Sequence, residues 1–126
     1  MANSVVTTYA REKLARARAG DATVPAITQM AFGNGGVDVN GDPIPPSATD
    51  VGLSNELLKK NVDGHSYPVA TTCRYSCTLA KTDLAGENIN EIGLFDADGK
   101  LVIKKTMTNK TKDGDQEMVF EIDDEF

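Results

Sequence analysis

The sequence predicts an α+β domain weighted to β, with an N-terminal helix packed on a mostly antiparallel sheet built from hairpins. Three observations predict it. Apolar residues recur at helical spacing near the start, runs of alternating polarity fill the second half, and one turn signal returns four times. A chain of 126 residues suits one domain, read as 1–126.

The first element reads as a helix over about 5–19, because Val6, Ala10, Leu14 and Ala17 fall on one stripe. Ser4, Thr7 or Thr8 can cap it, and Gly20 followed by Asp21 stops it. Arg11 and Arg18 share one side of the wheel, with Lys13 and Arg16 on the other flank of the stripe. Such a helix is either an ordinary solvated one or a docking helix for an acidic partner. Ile27 to Phe32 is rich in β-formers and reads as a strand running into Gly33-Asn34-Gly35-Gly36. Residues 33–50, with three prolines after position 36 and no sustained periodicity, read as a long surface loop. Leu53 to Lys60 fits one or two helical turns or an extended segment.

The region 61–122 is expected to be β-rich. The turn signal appears as Asp38-Val39-Asn40-Gly41, Asn61-Val62-Asp63-Gly64, Asp96-Ala97-Asp98-Gly99 and Thr111-Lys112-Asp113-Gly114. In each, a side chain at the first position can bond the backbone, and the fourth-position glycine supplies a positive φ, so four hairpins are expected. The third has the clearest strands on either side, Asn90–Phe95 and Lys100–Lys105. Thr71–Leu79 alternates Cys73, Tyr75, Cys77 and Leu79 against Thr72, Arg74, Ser76 and Thr78, and Gln116–Ile122 sets Met118, Phe120 and Ile122 on one face. An acidic tail at 123–126 is expected to fray or to meet the basic helix.

Charge and composition exclude several functions. Thirteen basic and 19 acidic residues give a net charge of −6, which opposes broad binding to nucleic-acid backbones. The charge is polarised, with Arg11, Lys13, Arg16 and Arg18 against Glu12 in residues 1–20, and 12 acids against five lysines in residues 83–126. No apolar run suits a membrane span, and the first residues lack the pattern of a secretory leader, so the protein is expected to be made and kept in a cytoplasm unless something carries it out. Cys73 and Cys77, four apart on a strand, would stand about 13–14 Å apart, too far for a disulfide. The one histidine, His65, reads as a solvated loop residue.

No chemistry-bearing constellation emerges. The glycines at 33–36 are followed by Val37-Asp38-Val39-Asn40-Gly41-Asp42-Pro43, which does not open a helix as a dinucleotide fingerprint requires. Asp96 and Asp98 fall out of register with a calcium loop, whose glycine would come two residues later. Glu87, Glu91, Asp96 and Asp98 are read as solubilising or turn residues. No cofactor, metal or catalytic residue is expected, and the chain is read as a non-enzyme.

Two segments resemble a known family. Ile27-Thr28-Gln29-Met30-Ala31-Phe32-Gly33-Asn34-Gly35 is similar to one motif of the phage tail-collar fibre family, and Glu91-Ile92-Gly93-Leu94-Phe95-Asp96-Ala97-Asp98-Gly99-Lys100-Leu101 resembles another. The resemblance covers about residues 5–105 and includes Asn55-Glu56 in the same order. It implies a structural component of a phage or prophage tail, located in the virion. The implied role is tail-fibre, collar or baseplate attachment through contacts with itself, as a trimer, and with other tail proteins. Family members continue into a long repetitive fibre whereas this sequence stops at Phe126, so a small separate tail component or a prophage remnant is expected. The alternative is a small non-enzymatic module that binds a ligand through the 33–50 loop.

Gly33, Gly35, Gly93, Asp96, Asp98 and Gly99 are expected to be structural turn or strand residues. Tyr9, Arg11, Leu14, Arg18, Leu94 and Phe95 are the candidate interface residues. Leu94 and Phe95 point to opposite faces, so one is expected in the core and the other against a neighbour. Gly93, lacking a side chain in mid-strand, implies close approach by another group.

Overall fold

A computed structural model describes residues 3–126, so the first two residues of the 1–126 domain lie outside the described residues. In chain order the elements are β1 (Ser4–Val6), α1 (Thr8–Arg18), β2 (Ile27–Gly33), β3 (Glu56–Asn61), β4 (Gly64–Val69), β5 (Thr72–Leu79), β6 (Asn88–Asp96), β7 (Leu101–Thr111) and β8 (Met118–Glu125). They form a five-stranded sheet in the order β1-β7-β6-β2-β3 and a three-stranded sheet in the order β4-β5-β8. All strand pairs are antiparallel.

The core lies between the two sheets. Met30, Phe32, Ile92, Leu94 and Ile103 of the larger sheet meet Cys77, Leu79, Phe120 and Ile122 of the smaller one. Phe32 and Phe120 join the layers edge to face, their ring centroids 5.3 Å apart, which adds about 0.5–1.5 kcal/mol to their area burial. The β-weighted α+β class holds, but the layer opposite the large sheet is the second sheet. Of the helix, only Ala10 is buried, and Leu14 stays 39% exposed.

The helix also starts later than expected. The β-branched Val5-Val6 pair favours extended backbone and pairs with Lys104 and Ile103 of β7 as β1. Thr7 then caps α1: its hydroxyl accepts from the Ala10 N–H at 3.2 Å and donates to the Leu101 carbonyl at 2.7 Å. At the other end the Asp21 N–H donates to Arg16 and the Gly20 N–H to Ala17, a glycine-terminated cap.

Of the four turn signals, one joins neighbouring strands of one sheet. At 96–99 the Asp96 carboxylate accepts from the Asp98 and Lys100 N–H groups, and Gly99 takes a φ of 77°, closing the β6–β7 hairpin. The signal at 38–41 makes a reversal inside the β2–β3 loop, closed by the Asp38 N–H to the Asp42 carbonyl. Those at 61–64 and 111–114 carry the chain from one sheet to the other, β3 to β4 and β7 to β8. A local turn signal reverses the chain without choosing the sheet it enters. A further hairpin, β4–β5, turns at Ala70-Thr71, where no glycine or Asx announces it.

Two other segments differ from expectation. Residues 56–61 take the extended alternative, as β3 beside β2. The acidic end does not fray, and among the described residues no ion pair ties it to the helix: β8 runs to Glu125 beside β5, and Arg74 holds Asp123 through bonds of 2.8 and 3.1 Å. His65 lies on strand β4 rather than in a loop, and is exposed.

Candidate functional site

The two family-like segments meet in space. β2 and β6 are neighbours, with Ala31 opposite Gly93 and Gly33 opposite Glu91. β6 is buried on both faces from Ile89 to Asp96, so any polar side chain on it needs partners inside the protein. Glu91 is fully buried, which corrects its reading as a solubilising residue. Its carboxylate accepts three backbone N–H groups: Gly35 at 2.8 Å and Asn55 at 2.8 Å on Oε2, and Ser54 at 2.7 Å on Oε1. The Lys104 ammonium stands 4.0 Å from Oε1 and 3.1 Å from Asp50.

Asn90 completes this polar hub. Its oxygen accepts the Gly36 N–H at 2.7 Å, and its amide donates to the Asn34 carbonyl at 3.2 Å and to Asn109 at 2.9 Å. Consecutive strand residues normally point to opposite faces, but the β6–β7 register shifts between Ile89 and Glu91, and both side chains reach the β2–β3 loop. The loop pressed on them is glycine-rich for a steric reason. A Cβ on Gly33 would strike the Asn55 carbonyl, one on Gly36 the Asn90 carbonyl, and one on Gly35 would lie 2.8 Å from Ser54.

The hub straps a long loop to the outer face of the large sheet. Between Gly33 and Glu56 the chain crosses that face, and the Ala48 carbonyl accepts from the Thr8 N–H while the Ile44 carbonyl accepts from the Thr106 hydroxyl at 2.8 Å. Leu53 covers a small second cluster of Ala31, Phe95 and Leu101, and Lys59 sits 3.8 Å above the Phe95 ring. A Cβ on Gly93 would meet Leu101 at 2.8 Å, Ile103 at 3.2 Å and Leu53 at 3.2 Å, so its empty side is filled by neighbours of this chain.

The candidate interface residues divide into two groups. Leu94 is 0% and Phe95 3% exposed, so the expectation that one of them faces a neighbour gives way: the second sheet covers Leu94, and the loop with Lys59 covers Phe95. Arg11, Leu14 and Arg18 are exposed on α1. Tyr9 is half-buried and donates to Asp96 at 2.7 Å, tying the helix to the β6–β7 turn. That bond to a carboxylate, with burial and the nearby charges of Asp96 and Asp98, pushes the Tyr9 phenol up to about 12.

The remaining titratable groups also serve packing. Burial pushes the Cys77 thiol up to about 11, which leaves it neutral and unreactive near pH 7. Burial likewise raises the Tyr75 phenol and the Asp124 carboxyl, whereas the Lys60 ammonium at 2.7 Å holds Asp83 below the usual carboxylate range. Lys112 is fully buried and donates to the carbonyls of Lys81 and Asp113, both at 2.9 Å. Among the described residues no group of three or more His, Cys, Asp or Glu side chains converges as a metal site would require.

Two surface grooves lie away from the hub. One, of about 500 Å³, runs between β1 and β8; the other, of about 350 Å³, runs between α1 and the β4–β5 hairpin and is walled by Leu14, Val24, Tyr67 and Phe126. Neither is lined by the 33–50 loop, whose Asp38 carboxylate is taken by the N–H groups of Asn40 and Asp42.

The hub was hidden from sequence reasoning because its acceptor is one glutamate and its donors are backbone groups 36 to 56 residues away. One signal was present: Glu91 sits in a run whose odd and even positions are both apolar, Ile89, Ile92, Leu94 and Phe95. A strand of that kind is buried on both faces, and so is a glutamate inside it.

Comparison with known proteins agrees with the joined motifs. No curated protein and no solved structure matches the chain. The family model described as phage tail-collar fibre protein, N-terminal, matches residues 1–119, which takes in both strands of the hub and the loop strapped to them. The chain therefore belongs to the phage tail-collar fibre family, as an N-terminal domain with a structural role in a phage tail.

Proposed function

We propose that this domain is an attachment module, joining a fibre or collar to the tail or baseplate through protein–protein contacts as a trimer of identical chains. It performs no catalysis. The observation that carries this reading is the helix: Thr7 and Tyr9 fix its first turn to β7 and the β6–β7 turn, while Arg11 at the end of that turn and Leu14 and Arg18 beyond it are exposed. A helix held at one end and bare along its body is a surface that a neighbouring protein can cover. The charge supports the same reading, because this basic helix and the acidic β8 strand are complementary surfaces on two copies of one chain. Head-to-tail contacts of that kind close into a ring when the rotation permits.

Solution mass tests the proposal. Light scattering behind size exclusion should give three times 13.5 kDa, about 40 kDa, across a range of protein concentrations. The species should loosen as salt rises, since exposed charge pairs are screened. A monomer at every concentration would remove self-assembly and leave attachment to other tail proteins alone.

A further inference from the structure

The first groove lies between two sheet edges that have no partner strand. In an antiparallel ladder both polar backbone groups of a residue point to the same neighbour, alternating along the strand. On β1 the ladder to β7 uses the odd residues, since Thr106 donates to the Asn3 carbonyl and Thr7 to the Val102 carbonyl. Ser4 and Val6 therefore direct their N–H and C=O groups away from the sheet. On β8 the ladder to β5 uses the even residues, as the Phe126 N–H to the Thr71 carbonyl fixes. Val119, Glu121, Asp123 and Glu125 direct theirs outward. β1 and β8 are edge strands of different sheets, and residues of both line this one groove.

The floor of the groove is apolar and its rim is charged. Ile103 and Ile122, 1% and 3% exposed, lie at the bottom where the two sheets meet. At the rim three carboxylates, Glu121, Asp123 and Glu125, face two cations, Arg74 and Lys105. Arg74 is committed to Asp123, and Glu121 and Glu125 pair with no cation among the described residues. The space is about 500 Å³. At about 3.3 Å per residue, Glu121 to Glu125 offers roughly 13–16 Å of edge, enough for four or five residues of extended chain.

We infer that this groove accepts an extended strand from a different polypeptide, apolar at one set of alternate positions and cationic at the other. Its backbone bonds Ser4 and Val6 on one side and Glu121, Asp123 and Glu125 on the other, its apolar side chains land on Ile103 and Ile122, and its cations meet Glu121 and Glu125. One inserted strand joins the two sheets and removes two exposed edges at once. A second copy of this chain fits less well: of its two other edge strands, β4 carries His65, Ser66, Tyr67, Pro68 and Val69, with no cationic alternation and with a proline that interrupts the ladder, and β3 has its adjacent Lys59 and Lys60 committed to the Phe95 ring and to Asp83. The inference does not require the trimer: it depends on backbone groups, not on the helix.

The experiment is amide hydrogen exchange on the full chain, with and without a capped hexapeptide alternating lysine and valine, and with the same peptide carrying glutamate for lysine. The lysine peptide should slow exchange at Ser4, Val6, Glu121, Asp123 and Glu125 by about tenfold or more, and the protection should fade with salt. The glutamate peptide should give none. Ser4→Pro and Glu121→Pro each delete an outward N–H while sparing the ladders to β7 and β5, and each should abolish the protection with little change in melting temperature. Should a proline variant fail to fold, the double variant Glu121→Lys, Glu125→Lys should reverse the preference between the peptides. Unchanged exchange at these amides in the presence of the lysine peptide, equal protection by both peptides, or protection at β4 instead would overturn the inference.

Discussion

The β2–β6 side of the molecule and the helix side handle polar and apolar groups in opposite ways. Around Glu91 every donor and acceptor is turned inward: three N–H groups, an ammonium and two asparagine amides satisfy one another, and three glycines permit the contact. Around α1 the chain is held at one turn and then left open, with Leu14 and the arginines facing solvent. The difference teaches that the motif marking the family works on the inside of the fold. It shapes the loop and sheet, and of its residues only those of the turn, Ala97 to Lys100, are exposed.

The comparison breaks first at Glu91. Glu91→Ala should cost about 3–5 kcal/mol, because it leaves three loop N–H groups without their acceptor and leaves Lys104 with Asp50 as its one carboxylate. Glu91→Gln keeps an oxygen acceptor but loses the charge, and should fall between the alanine variant and the native chain. Urea unfolding followed by a far-ultraviolet signal gives both numbers. A loss below about 1 kcal/mol for the alanine variant would mean the loop does not depend on the hub.

Gly93→Val comes next, on the same side. The added side chain meets Leu101, Ile103 and Leu53 closer than ordinary contact, and overpacking of this kind costs about 1–3 kcal/mol. A thermal melt unchanged from the native chain would show that Leu53 and its loop move aside freely.

Much of this architecture was legible in the sequence, and the failures share a cause. Strands β5 and β8 follow from local alternation, β2 from its β-forming residues, and β6 with the 96–99 hairpin from the Asp96, Asp98 and Gly99 turn signal, because those signals act between residues close in sequence. The sheet that each strand joins was not legible. Asn61-Val62-Asp63-Gly64 and Thr111-Lys112-Asp113-Gly114 look like the third turn, yet they deliver the chain to the opposite layer, a choice made by burial of Phe120, Cys77 and Leu79 across the core. The helix stripe misled for a similar reason. Val6 has helical spacing with Ala10 and Leu14, but its pairing with Ile103 in the sheet outweighs a propensity worth only tenths of a kcal/mol.

Between the two extremes stands the end of β8, where pH sharpens the contrast. Asp124 sits at an inward position and its burial raises its pKa, so the folded state holds the proton more tightly than the unfolded chain does. Its contribution is fully present below the unfolded value near 3.9 and is lost as pH rises through the folded value. Asp83 and Asp123 act in the reverse sense: Lys60 and Arg74 depress them, and what they contribute above the unfolded value is lost as pH falls through their folded values. Asp124→Asn should therefore raise the melting temperature at pH 7 and lose its advantage below about pH 4. An advantage that persists unchanged to pH 3 would assign the gain to something other than the charge.

The smallest effect on stability is expected on the helix, and that is what makes it informative. Leu14→Ser removes an apolar side chain that is already 39% exposed, and Arg11→Glu with Arg18→Glu alters two solvated positions, so each should change stability by about 0.5 kcal/mol or less. Assembly should respond differently. If neighbouring copies cover this face, Leu14→Ser shifts the mass toward 13.5 kDa at micromolar protein, and the double charge reversal does so most at low salt, where repulsion from the acidic β8 of a second copy is unscreened. A stability loss as large as that of Gly93→Val would show instead that the helix packs as tightly as the motif. An unchanged melting curve with an unchanged mass would move the contact surface away from α1, to the edges of β1 and β8 where backbone groups still lack a partner strand.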